Sequence, residues 1–244
     1  MVLAVGAASS YNGSCSIVPG TPVASDCLRR GARCSAEVRK DIEMDGDDRL
    51  AGFKAHVPMT EEELAAVTIG ERRPLNSTIY LPPYDPAWSL LFEQEADRIR
   101  AILYDKVLLL EHVGSTAVPD LPAKPIIDMV LAVADTTDER SYVPPLEERG
   151  YELRIREPEW FEHRLLKSPT IDANIHVFSA RCEEIDRMLL FRDWLRTHAG
   201  DRELYATSKQ ELAVRTWKYT QNYADAKSEV VAEILARARR SVTR

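Results

Sequence analysis

The order of apolar and polar positions divides this chain into two parts. Residues 1–35 are rich in Gly, Ala, Ser and Cys and show neither helical nor strand spacing, so residues 1–75 are read as a poorly ordered or weakly structured extension. Within it, Thr60-Glu61-Glu62-Glu63 has the capping-box pattern, a hydroxyl followed three positions later by a carboxylate. A short helix is predicted from Thr60, and Pro74 is predicted to end it. From Asn76 the patterning becomes continuous. Trp88, Leu91, Phe92, Glu95, Ile99 and Ile102 recur mostly three or four apart, the spacing of an amphipathic helix. Strands are predicted over 107–113, 126–133, 151–156 and 171–178, with a helix around 142–149. Three helices, over 183–197, 200–216 and 223–240, fill the remainder. Residues 76–244 are therefore predicted to form one α/β (α+β) domain, strands alternating with helices, with a helical C-terminal part.

Composition narrows the class without changing that picture. The chain has 244 residues, 45% of them hydrophobic, and a formal net charge of −7. An acidic chain without long Lys/Arg blocks lacks the electrostatic footprint of a general nucleic-acid binder. No run approaches the roughly 20 apolar residues of a membrane span, and the N-terminus has no basic segment of the signal-peptide kind. Cys15, Cys27, Cys34 and Cys182 are too sparse for a disulfide framework, so a cytoplasmic location is expected. The acidic run from Asp41 has Gly52 where a calcium loop needs its twelfth-position carboxylate, and reads as a solvated linker.

The chemistry concentrates in Glu111–Val133, EHVGSTAVPDLPAKPIIDMVLAV. A strand runs into Gly114-Ser115, twelve residues follow, and Asp128 stands on the next strand. A small Gly-Ser turn lets backbone N–H groups approach a phosphate, and an acid on the neighbouring strand can hold a divalent cation against it. This suits phosphoryl or nucleotidyl transfer. By strand alternation, however, Val130 takes the position on Asp128's face where a second metal-binding carboxylate would stand. Asp172, Asn174, His176 and Phe178 share one strand face, predicted to look onto solvent or a cleft, so His176 or Asp172 is a candidate to complete a site with Asp128. Of Glu111 and His112, adjacent on one strand, at most one shares Asp128's side. Trp160-Phe161 and His163-Arg164 read equally as a cleft lining or as a loop anchored on the core.

The segment HVGSTAVPDLPAKPIIDMVLAV, with NIHVF, EIDRMLLFRDWLRTH, YADAKSEVVAEIL and the Tyr84-Asp85-Pro86 motif, resembles the GrpB-like family of nucleotidyltransferase-fold proteins, from about Leu81 to Arg237. The resemblance implies a compact nucleotidyltransferase-like domain, a mixed sheet flanked by helices, and an apolar residue at Val130 is frequent in that family. A similar domain fused to dephospho-coenzyme A kinase in some bacteria points to a nucleotide or coenzyme role. Carried onto this chain, the resemblance puts Gly114, Ser115 and Thr116 in a phosphate turn, with Lys124, Arg192 and Lys227 as phosphate-binding cations and Arg187, Lys209 and Tyr223 as further candidates. Asp128 is the implied magnesium ligand, and Asp128 and His176 are the implied catalytic residues.

The expectation is thus an enzyme that binds a nucleoside triphosphate with magnesium and transfers a nucleotidyl or phosphoryl group to a small-molecule acceptor. The alternative is a non-catalytic nucleotide- or coenzyme-binding regulatory module that lacks the second metal carboxylate. A third reading is an interaction scaffold that binds no nucleotide.

Overall fold

The computed structural model describes residues 58–72 and 74–242. The readings made on residues 1–57, including the unpatterned stretch, the acidic linker and the first three cysteines, lie outside these residues. The capping box forms: the Thr60 hydroxyl accepts from the Glu63 N–H at 3.2 Å, and the Glu63 carboxylate accepts from the Thr60 N–H at 2.8 Å. Helix α1 (Glu61–Val67) follows and buries Leu64. Its chain then meets the sheet, the Ile69 N–H donating to the Arg154 carbonyl at 2.8 Å. Contact with the domain therefore begins before Asn76.

Helix α2 (Ala87–Leu103) starts where the Asp85 carboxylate accepts from the Ala87 N–H. It buries Trp88, Phe92, Glu95, Ala96, Ile99 and Leu103. Strand β1 (Leu109–Val113) leads through a 3₁₀ turn (Ser115–Ala117) to β2 (Ile127–Val133). A short helix α3 (Val143–Glu147) precedes β3 (Glu152–Glu157), β4 (His163–Lys167) and β5 (Ala173–Ser179). The C-terminal part is α4 (Glu183–Thr197), α5 (Ala199–Ala213), α6 (Thr220–Asp225) and α7 (Ser228–Val242). Two departures from the sequence reading stand out. Strand β4 carried no alternation of its own and forms by pairing with β3 and β5. The helix predicted over 223–240 is two helices, interrupted at Ala226 and Lys227.

The five strands make one mixed sheet in the order β1-β2-β5-β4-β3. Only β2 and β5 run parallel; the other neighbours are antiparallel. Ile127, Met129, Leu131, Ala173, Ile175 and Val177 belong to one apolar cluster with Phe92 and Ile99 of α2. On the opposite face Val113, Val130, Ala132 and Phe178 pack with Ile185 and Met188 of α4. Of the row predicted to look onto solvent or a cleft, Phe178 is covered by α4 and His176 is buried, while Asn174, also buried, reaches a cleft. Asp172 falls outside β5, where Lys167 donates to its carboxylate at 2.9 Å on the exposed surface.

Candidate functional site

Gly114 has φ 73° and ψ −168°, a combination that glycine alone adopts without strain, and this reverses the chain as it leaves β1. The turn that follows is locked to the sheet. The Thr116 hydroxyl donates to the Ile126 carbonyl at 3.1 Å and accepts from His112 Nε2–H at 3.0 Å. The His112 ring in turn stacks on Phe92, and burial pushes its pKa down to about 3, so the ring stays neutral. His112 thus faces α2, and Glu111 is the member of that pair on Asp128's side, directly opposite Val130.

One cleft opens beside this turn. Ser115, Thr116, Lys124, Asp128, Asn174, Lys209 and Lys227 line it, with Leu81, Ile126 and Tyr223 among its apolar walls. Three cations from separate stretches of chain meet here. Lys124 precedes β2, Lys209 comes from α5, and Lys227 sits at the α6–α7 break. Lys209 is 2% exposed and donates to the Pro122 carbonyl at 2.5 Å. Lys227 is 5% exposed, with its ammonium 4.3 Å from the centre of the Tyr223 ring. Burial lowers the proton affinity of all three: that of Lys209 lies well below the ordinary value, with Lys227 pushing the same way, and Lys227 falls to about 8. Asp225 beside Lys227 and Asp172 near Lys124 oppose that fall only in part, so an anion bound in the cleft would favour the ammonium forms.

Asp128 is the carboxylate of the cleft, 2% exposed, and its Oδ1 accepts from the Asn174 amide at 2.8 Å. His176 lies behind it, with Nε2 3.8 Å from that same oxygen, and does not line the cleft. Among the described residues no group of three His, Cys, Asp or Glu side chains is placed to hold a metal ion. The donor set suits a magnesium ion that brings phosphate and water ligands with it, since such ions commonly take one or two carboxylates from the protein. It does not suit a pair of metal ions held by paired acids.

The other sequence candidates are placed elsewhere. Arg192 donates to Glu111 at 2.8 Å, to the His112 carbonyl at 2.9 Å and to the adjacent Asp193 at 2.7 Å, outside the cleft lining. The Asp193 pair forms although the two residues are neighbours in sequence. Arg187 makes two bonds of 2.6 Å to Glu184, one turn away. Trp160 packs edge-on against His163 and Phe178, so its loop is anchored on the core. Glu157 and His163 join His176 in a buried chain of contacts that sequence reasoning missed. Their only local signal is two polar residues bracketing the turn between β3 and β4, which does not reveal that three strands align them.

Comparison with known proteins fits this geometry. A UPF0157 protein of Halalkalibacterium halodurans is 58% identical over 181 residues, covering 74% of this chain and 93% of its own length. The crystal structure of the conserved protein GrpB from Enterococcus faecalis superimposes with a TM-score of 0.58 at 30% identity, covering 68% of this chain and all of that one. A dephospho-CoA kinase of Mycobacterium bovis is 26% identical over 199 residues, which span 71% of this chain and 49% of the kinase. Residues 78–237, from the approach to α2 into the last helix and including every cleft residue named above, match the family described as GrpB protein, and the chain belongs to the GrpB family.

Proposed function

We propose that the cleft binds the phosphate groups of a nucleotide or nucleotide-like coenzyme. With magnesium, it then transfers a nucleotidyl or phosphoryl group to a small-molecule acceptor on a nucleotidyltransferase-like fold. The observation that carries this reading is that Lys124, Lys209 and Lys227 line one cleft together with Asp128 and the Ser115 turn. In their ammonium forms, which a bound anion favours, the half-buried Lys124 and the buried Lys209 and Lys227 offset much of the charge of a di- or triphosphate, and positive charge around a transferring phosphoryl group is most of what such chemistry asks of a protein. Ser115 adds a hydroxyl at the cleft wall, while Thr116 holds the turn in place. Asp128 would hold the magnesium, which when bound supplies charge neutralisation at the phosphates. The partial match to a dephospho-CoA kinase supports a nucleotide or coenzyme ligand. A cytoplasmic location belongs to the same proposal.

Val130 favours a second reading, a regulatory module that binds such a ligand without consuming it. The valine is wholly buried in the α4 cluster and offers no metal ligand.

Melting temperatures of the full chain with ATP, GTP, pyrophosphate and coenzyme A, each with and without magnesium, test both, because ligands of the native state raise Tm. A rise with at least one phosphate ligand is expected, and no rise with any of them overturns both readings. Phosphorus NMR of the binding mixtures then separates turnover from binding. Asp128→Asn is expected to abolish the magnesium-dependent part of the shift; its retention would remove Asp128 from the metal role.

A further inference from the structure

Behind the cleft, four side chains cross the sheet in a line. Glu157 on β3 is paired in register with His163 on β4; His176 on β5 is opposite Leu165 of β4, and Asp128 on β2 is two pairs along from His176, on the same face. Glu157 Oε2 lies 2.6 Å from His163 Nδ1, and His163 Nε2 lies 3.1 Å from His176 Nδ1. His176 Nε2 then lies 3.8 Å from Asp128 Oδ1. None of the four is more than 2% exposed, and the rings of Trp160 and Phe178 flank His163. Of the four, Asp128 alone lines the cleft.

The bonding has a direction. A carboxylate only accepts hydrogen bonds, so the His163 proton is on Nδ1 and its Nε2 is an acceptor. His176 must then donate from Nδ1, which leaves its Nε2 bare toward Asp128. This order requires neutral rings. Burial, with the Arg164 guanidinium acting in the same sense, holds His163 at about 3, and the His176 ring is as deeply enclosed. The last gap is an independent sign. An N–H beside a carboxylate closes to about 2.7–2.9 Å, whereas His176 Nε2 stands at 3.8 Å and makes no hydrogen bond among the described residues.

We propose that Glu157 is a positioning residue for the cleft: through His163 it holds His176 in the tautomer whose acceptor nitrogen backs Asp128, so that the carboxylate stays with Asn174 and the ligand. With the opposite tautomer, an Nε2–H would draw the Asp128 oxygen into the sheet. The tautomer order stands on geometry alone, while its effect on the ligand rests on the polyphosphate reading above.

Ring-nitrogen NMR of the ¹⁵N-labelled full chain tests the order directly. His176 Nδ1 is expected to be protonated and Nε2 unprotonated; a protonated Nε2 in the unaltered protein overturns the proposal without any variant. In Glu157→Leu the acceptor for the His163 Nδ1 proton is gone, so both rings are expected to lose their order and reverse, and affinity for magnesium pyrophosphate is expected to fall several-fold. Glu157→Gln, whose carbonyl accepts as the carboxylate does, is expected to keep the order and the affinity; unreversed rings in a folded Glu157→Leu protein, or reversed rings with unchanged affinity, overturn the positioning role. Reversed rings in a protein that binds no phosphate ligand even before substitution support the tautomer order and remove the polyphosphate reading instead.

Discussion

On the face of the sheet beneath α2, Ile127, Met129 and Leu131 belong to a cluster that is apolar throughout. On the face beneath α4, the residues between them, Asp128, Val130 and Ala132, are just as buried, yet this face also carries Asn174, His176, His163 and Glu157. Burial alone therefore does not separate core from site in this protein. What separates them is whether the face carries buried polar groups, here the hydrogen-bonded run of Glu157, His163 and His176 behind the Asp128–Asn174 pair at the cleft. The cost of unpaired polar burial explains why the second face must be so joined, and why Val130, set between Glu111 and His176 in the register, is apolar.

Val130→Asp would restore paired acids on the second face and should break it. A new carboxylate in the cluster of Val113, Phe178, Ile185 and Met188 is expected to cost about 3–5 kcal/mol, the scale of an uncompensated buried charge. Urea denaturation measures it; a stably folded variant with stronger magnesium binding would show that this position belongs to the site. Met129→Ala, its neighbour on the apolar face, is expected to lose about 2–5 kcal/mol through a cavity and to leave phosphate binding unchanged. Any loss of ligand affinity beyond that of unfolding would mean the two faces are coupled.

The cleft cations give the comparison a pH dependence of opposite sign for stability and binding. The unfolded chain keeps the Lys227 proton up to its ordinary 10.5, while the folded chain releases it near 8. Between these values the unfolded state binds more protons, so stability rises with pH, by on the order of 3 kcal/mol from this group. Affinity for pyrophosphate moves the other way above pH 8, because the ligand needs the ammonium form. Melting curves across this range, with and without pyrophosphate and relative to Lys227→Met, isolate the contribution; parallel curves would refute it. At neutral pH, Lys227→Met is expected to raise the stability of the ligand-free protein and to weaken pyrophosphate binding by about 1.5–3 kcal/mol, measured by calorimetry. Gly114→Ala is expected to cost about 1–3 kcal/mol in backbone strain, with ligand affinity falling as the Ser115 turn shifts. A fully stable Gly114→Ala protein would show that the turn tolerates a side chain.

The elements were legible wherever one side chain's environment is set by its near neighbours. The Thr60–Glu63 capping box, the apolar stripe of α2 and the runs that became β2 and β5 all form close to where spacing places them. Gly114, Ser115 and Asp128 could be singled out because strand, turn and strand lie within one short stretch. Strand β4 was illegible because its identity depends on partners that flank it in space. Arg192 was misplaced by its type: guanidinium suits phosphate and carboxylate alike, and Glu111 on the adjacent strand decides between them.

By itself the sequence determined most of the helices and strands of the described domain, since periodicity and capping are local physics. It also determined that Asp128 stands without a second acid two positions on, because alternation fixes which side chains share a face. Only the tertiary structure decided that three lysines from distant segments line one cleft with Asp128 and that Glu157, His163 and His176 are joined behind it. Those arrangements arise from strand order and helix packing, which bring together residues that no spacing rule along the chain relates.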